Sequence, residues 1–98
     1  MNTIDLHKQG AELNVTAHGT FNLHTRQMIE SRTTPEIDIL IVNLADCTLI
    51  DSEGIIFFHQ WMAAGKTLRL VKPPEIMFEI LDILEIKDAW NLKQIITN

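Results

Sequence analysis

The 98-residue sequence predicts an α/β fold, with a mixed β-sheet of about four to five strands and helices packed against it. Three observations point there. The chain opens with two short segments in which apolar and polar side chains alternate, the pattern of half-buried strands. Ile37 to Leu44 is β-branched and almost continuously apolar, as in a central strand of an α/β sheet. Positions 37 to 71 then read strand, helix, strand, and parallel strands need a crossover connection of that length.

Taken in order, Thr3 to Lys8 and Glu12 to Ala17 alternate around a Gln9-Gly10 turn and predict a β-hairpin. Gly19-Thr20 breaks the alternation. Phe21, Leu23, Met28 and Ile29 then recur at roughly helical spacing, predicting a first helix that runs to Arg32 and stops before Thr33-Thr34-Pro35. Ile37 to Leu44 reads as a strand buried on both faces. A short apolar stretch, Thr48-Leu49-Ile50, leads into Asp51-Ser52-Glu53, where a capping side chain and acidic residues suit a helix N-terminus and predict a helix from Ser52 to about Ala64. On that helix Ile55, Phe58 and Met62 share the face that packs on the sheet, with Phe57 and Trp61 at its boundary. Ile56 lies instead on the side of Ser52, His59 and Ala63.

Gly65 supplies the stop, and Thr67 to Val71 is the next strand, so a right-handed crossover makes the sheet at least partly parallel. Pro73-Pro74-Glu75 opens a third helix with Met77, Ile80, Leu81 and Leu84 on one face. Ile86 to Thr97 suits a short strand or a last helix. With no internal repeat or low-complexity segment, residues 1–98 are expected to form one domain, a length that buries about two-thirds of the unfolded surface.

Composition narrows the function. A net charge of −5 repels phosphate backbones and anionic lipid, and the eight Lys and Arg residues are scattered, so neither nucleic acid nor a membrane surface is an expected partner. The lone Cys47, inside an apolar stretch, reads as a buried thiol in a reducing compartment. No basic leader precedes an apolar run, and no apolar stretch approaches the ~20 residues a membrane span needs, so a cytoplasmic protein without membrane insertion is expected.

The usual chemical devices are not encoded. His7, His18, His24 and His59 include no i, i+4 pair for a metal, and the four glycines form no phosphate-binding loop. No nucleophile, base and orienting group stand together, so no catalytic residue, metal or cofactor is expected. One junction stands out, Ile50-Asp51-Ser52-Glu53-Gly54, which sets a hydroxyl at a helix N-terminus. Unsatisfied N–H groups there favour negative charge, so the position tolerates a phosphoryl group on Ser52. The alternative is that Ser52 or Asp51 is simply an N-cap worth about 1 kcal/mol. Ile56, exposed beside a modifiable serine, suggests a docking surface.

The segment Asn43-Leu44-Ala45-Asp46-Cys47-Thr48-Leu49-Ile50-Asp51-Ser52-Glu53-Gly54-Ile55, following an apolar strand, resembles the signature of STAS domains, the family of bacterial anti-sigma factor antagonists. The order of elements matches along nearly the whole chain. The resemblance implies a STAS-like α/β fold and a regulatory protein-binding role without catalysis. It also implies a phosphoacceptor at Ser52, and a partner-binding surface around Asp51, Glu53, Gly54, Ile56 and His59. The implied partners are a protein kinase or anti-sigma-factor-like regulator, released on phosphorylation, and a serine phosphatase that restores binding. Two positions depart from the family pattern: Glu53, where a small or hydroxyl residue is common, and Ile56, where glycine is frequent. A second reading is an accessory subunit of a membrane transport ATPase, docked permanently through the same helix surface, with Ser52 structural. A small-molecule sensor would need a pocket for which the sequence gives no signal.

Overall fold

The computed structural model describes residues 3–86, 90 and 92–97. The expected hairpin is present: β1 (Thr3–Gln9) and β2 (Glu12–Phe21) pair antiparallel from Thr3 opposite His18 to Gln9 opposite Glu12. Gly10 turns the chain at a φ of 61°, a conformation that suits glycine.

β2 does not stop at Ala17. The break expected at Gly19-Thr20 is an irregularity inside the strand, where Gly19 has φ 78° and the register shifts before Thr20. A glycine in a strand often marks such a bulge, which bends the chain. The bend lets β2 serve two neighbours in succession. Glu12 to Thr16 pairs parallel with β3 (Ile39–Asn43), and Gly19 to Phe21 pairs parallel with β4 (Cys47–Ile50), so the apolar stretch at 48–50 is itself strand.

Phe21, expected in the first helix, is therefore the fully buried last residue of β2. Asn22 caps α1 (Leu23–Glu30), accepting the Thr25 N–H at 3.2 Å while Thr25 Oγ1 accepts the Asn22 N–H at 3.3 Å. This reciprocal box satisfies two otherwise orphaned donors. The helix ends at Glu30 rather than Arg32. Its buried positions are Thr25 and Ile29, whereas Leu23 stands exposed, contrary to the expected apolar face.

β3 is shorter than Ile37 to Leu44, although both of those flanking residues are buried. It is also not buried equally on both faces. Leu40 and Val42 are fully covered while Ile39, Ile41 and Asn43 are half-buried. In register, Leu13, Val15, Leu40, Val42, Leu68 and Leu70 share the face that forms the core with the helices. The other face carries Asn14, Thr16, Ile39, Ile41, Arg69 and Val71 and is only partly covered. A β-branched run does not distinguish one covered face from two.

α2 (Ser52–Ala63) follows β4 directly, and Gly65 at φ 81° turns the chain into β5 (Thr67–Val71). α3 (Glu75–Ile83) begins after Pro74, with Met77 and Leu81 buried. Leu84, expected on the same face, is its exposed C-cap. The last stretch forms both candidate elements, α4 (Leu92–Ile95) and β6 (Ile96–Thr97); residues 87–89 and 91, within that stretch, lie outside the described residues. The sheet order is β1-β2-β3-β5-β6, with β4 beside the far half of β2. Only the β1–β2 pairing is antiparallel among the described strands, which makes the sheet mixed as expected.

Candidate functional site

The junction of β4 and α2 is built from three local preferences. Ile50 anchors the end of β4 in the core, and the Asp51 N–H donates to the Phe21 carbonyl at 3.1 Å. Asp51 is extended (φ −98°, ψ −179°), and its Oδ1 accepts from the N–H of Glu53 at 3.0 Å and of Gly54 at 3.3 Å. Asp51 is thus the N-cap, and Ser52 is the first helical residue with its side chain exposed. Gly54 is buried because α2 starts against the ends of β2 and β4. A Cβ there would lie 2.7 Å from Phe21 Cδ1 and 2.8 Å from Ile50 Cγ1. Phe21 and Phe58 then pack with ring centroids 5.2 Å apart, fixing the helix on the sheet.

At about 100° per residue, positions 52, 56, 59 and 63 share one side of α2, and 53, 57 and 60 the next. On the first side Ser52 and Ala63 are exposed, Ile56 is 37% exposed and His59 is half-buried. The second side meets Arg26 of α1. The Arg26 Nη1 bonds Glu53 Oε2 at 3.1 Å, Nη2 donates to Gln60 Oε1 at 3.0 Å, and the guanidinium carbon lies 5.9 Å from the Phe57 ring centroid. Nε reaches Glu30 at 3.3 Å.

The predicted site residues are therefore brought to one junction in different settings. Asp51 and Gly54 build the helix start, Ser52 and Ile56 face outward, and Glu53 lies one stripe round in an ion pair. His59 turns inward to Trp90, whose indole N–H donates to His59 Nδ1 at 3.1 Å, with the rings 9° from parallel. Indole nitrogen only donates, so His59 Nδ1 is the acceptor in this bond.

Sequence reading missed both Arg26 and Trp90. An i, i+4 spacing joins Arg26 to Glu30, but nothing local couples it to Glu53, 27 residues away. Phe57 and Trp61, expected at the boundary, are buried, and Met62, expected inside, is half-buried. α1 closes over one flank of α2, and the Trp61 N–H donates to the Thr67 carbonyl at 2.7 Å.

Elsewhere the chemistry is sparse. Cys47 is buried, donates to the Leu49 carbonyl at 3.2 Å, and has its thiol pKa pushed up by burial. Among the described residues no three His, Cys, Asp or Glu side chains gather where they could hold a metal ion. Among them too, no helix is long and apolar enough to cross a membrane. A cleft of about 530 Å³ lies between the C-terminal end of α2, β5 and α4, lined by residues that include Met62, Lys66 and Arg69. A second, of about 300 Å³, lies over Phe57 and Trp61. Neither is lined by Ser52.

Element order, sheet pairing and the β4–α2 junction together give the chain the α/β fold of a STAS domain. The backbone is similar to the structure of the anti-sigma factor antagonist SpoIIAA in its unphosphorylated form, with a TM-score of 0.64 and 14% identity over 83% of each chain. It is also similar to the Bacillus cell fate determinant SpoIIAA in the phosphorylated form, with a TM-score of 0.71 and 14% identity over 97% of this chain and 89% of that one. A weaker likeness, TM-score 0.53 at 17% identity, covers 72% of this chain and 19% of the chain of Mglu. No protein-family model matches the sequence, and no curated protein matches it. At these identities the likeness is one of fold, and it agrees with the STAS resemblance carried by residues 43–55.

Proposed function

We propose that this chain is a single STAS-like regulatory domain that binds other proteins, catalyses nothing itself, and changes partners when Ser52 is phosphorylated and dephosphorylated. The observation that carries the reading is the Ser52 hydroxyl, exposed at the first position of α2 on the same stripe as the exposed Ile56, while Asp51 alone caps the helix. The serine is not needed for the fold of the junction and is accessible to a modifying enzyme.

A phosphate there adds about −1.5 to −2 charges to a surface that must otherwise pack closely on a partner. Repulsion and desolvation then oppose docking, and a shift of ~3 kcal/mol changes affinity more than a hundredfold without refolding the domain. The likeness to both the unphosphorylated and the phosphorylated form of SpoIIAA supports a scaffold that accommodates either state. The partners on this reading are a protein kinase or anti-sigma-factor-like regulator and a serine phosphatase, and the setting is the cytoplasm. Asp51 and Gly54 shape the docking surface, and Ile56 forms its apolar contact; Glu53 and His59 border it.

The test is capture from the source cell's lysate on wild-type, Ser52→Ala and Ser52→Asp proteins, with bound proteins identified by mass spectrometry. A regulatory partner held by wild type and Ser52→Ala but released by Ser52→Asp is the expected result. The same transporter subunit on all three would make Ser52 structural and the chain an accessory subunit of a transport ATPase.

A further inference from the structure

Glu53 raises a problem for any phosphorylation switch at Ser52, because a carboxylate next to the phosphoacceptor imitates part of the charge that phosphorylation adds. The structure contains an answer in α1. Glu53, Phe57 and Gln60 form one stripe of α2, and all three are engaged by a single side chain, Arg26. The Arg26 side chain is 18% exposed against 42% for that of Glu53, so the pair is only partly screened by water. Gln60 and Phe57 also engage the guanidinium, and Glu30, one turn along α1, takes its Nε–H. A planar fork held at four points has little freedom to follow Glu53 outward, so Glu53 is drawn toward α1 and away from the stripe of Ser52 and Ile56.

We infer that Arg26 is a positioning residue of the switch, holding the Glu53 carboxylate against α1 so that the face around Ser52 stays free of its charge until the serine is modified. The inference rests on the phosphorylation reading above and deepens it. Asp51 is held at the cap by its Oδ1, which accepts from two backbone N–H groups at the positive end of the helix, so its carboxylate is fixed whether or not Arg26 is present. In the unmodified protein the stripe of Ser52 and Ile56 then presents a hydroxyl and an apolar side chain, and the phosphate brings a new charge to it.

The inference separates from a merely structural role through charge. With Arg26→Gln the carboxylate is released, and the protein is expected to behave as partly phosphorylated even when Ser52 is not. The partner recovered on the wild-type chain, once identified and purified, should bind Arg26→Gln about tenfold more weakly at low salt, with most of the loss recovered at high salt. Arg26→Gln combined with Glu53→Gln should bind more tightly than Arg26→Gln alone, because the charge to be restrained has gone.

A second arm needs no partner. Positively and negatively charged nitroxide co-solutes, read by NMR relaxation at Ser52 and Ile56, report the local potential in the same three proteins and in Arg26→Lys. It should turn more negative in Arg26→Gln and return in the double variant, and it should also turn more negative in Arg26→Lys, which keeps the cation but loses the planar fork that holds Glu53. An unchanged potential in folded Arg26→Lys overturns the inference, as does wild-type affinity in Arg26→Gln while Ser52→Asp still releases the partner, an outcome that leaves the switch itself standing. If Ser52→Asp binds as wild type does, the phosphorylation reading fails and takes the inference with it.

Discussion

The carboxylate of Asp51 takes the N–H groups of both Glu53 and Gly54, which leaves the neighbouring Ser52 hydroxyl with no part in capping α2. Asp51→Ala is therefore expected to lower stability by about 1 kcal/mol, and Ser52→Ala by less than about 0.5 kcal/mol, in urea unfolding. Equal losses would show that the serine shares the cap. Gly54 is set by contact rather than by turn geometry. Its α-hydrogen faces Phe21 and Ile50, so Gly54→Ala should cost about 1–3 kcal/mol and lower the unfolding midpoint, unless α2 lifts off the strand ends. Cys47 makes a pH-dependent prediction. Burial raises its thiol pKa, so the folded state keeps a proton that the unfolded chain gives up. Stability from this residue is intact below the ordinary thiol range and falls as pH rises from there through the raised folded value. Alkylation by iodoacetamide at pH 8 should be more than about tenfold slower in native protein than in urea. At this scale the sequence was informative about identity and weak on setting. Asp51 and Ser52 were both legible as cap candidates, but which one caps depended on backbone direction at the end of β4.

Each side of α2 has a different neighbour: the sheet under Ile55 and Phe58, Arg26 of α1 beside Glu53, Phe57 and Gln60, and Trp90 against His59. Ile56 sits on the side left most open. Ile56→Ala should change stability by less than about 1 kcal/mol, whereas Phe58→Ala, which empties a fully buried site, should cost about 3–5 kcal/mol in the same chemical denaturation. A large loss at Ile56 would mean that it is a core residue and not a docking contact. Helical arithmetic placed Ile56 and Ser52 together because both lie on one helix and the period is fixed by backbone hydrogen bonding. It could not bury Phe57 and Trp61, since that depends on where α1 lies. Leu23 is a different case: five and six residues before Met28 and Ile29, it lies about 140° and 120° round the helix from them, so the helical period itself turns it outward.

Across the whole molecule, β2 is the organising strand, pairing with β1 on one edge and with β3 and then β4 on the other. Most contacts in the sheet therefore join residues distant in sequence, and no half of the chain completes a core without the other. Residues 1–98 should unfold in one cooperative transition, with calorimetric and van't Hoff enthalpies equal and a heat-capacity change of about 1.2–1.5 kcal/mol/K. A separate early transition would show that part of the chain unfolds independently of the core. The sequence by itself determined the elements whose signals are local: the opening hairpin, the start of α2 at Asp51-Ser52, the Gly65 stop and the proline-led α3. Backbone preference, capping and hydrophobic period act over a few residues and so are written in a few residues. The tertiary structure alone decided that β2 bends at Gly19 to reach two partners, that one sheet face is covered more fully than the other, and that Arg26 meets Glu53. Each of these depends on how distant segments pack, and packing is set by shape and burial summed over the whole chain.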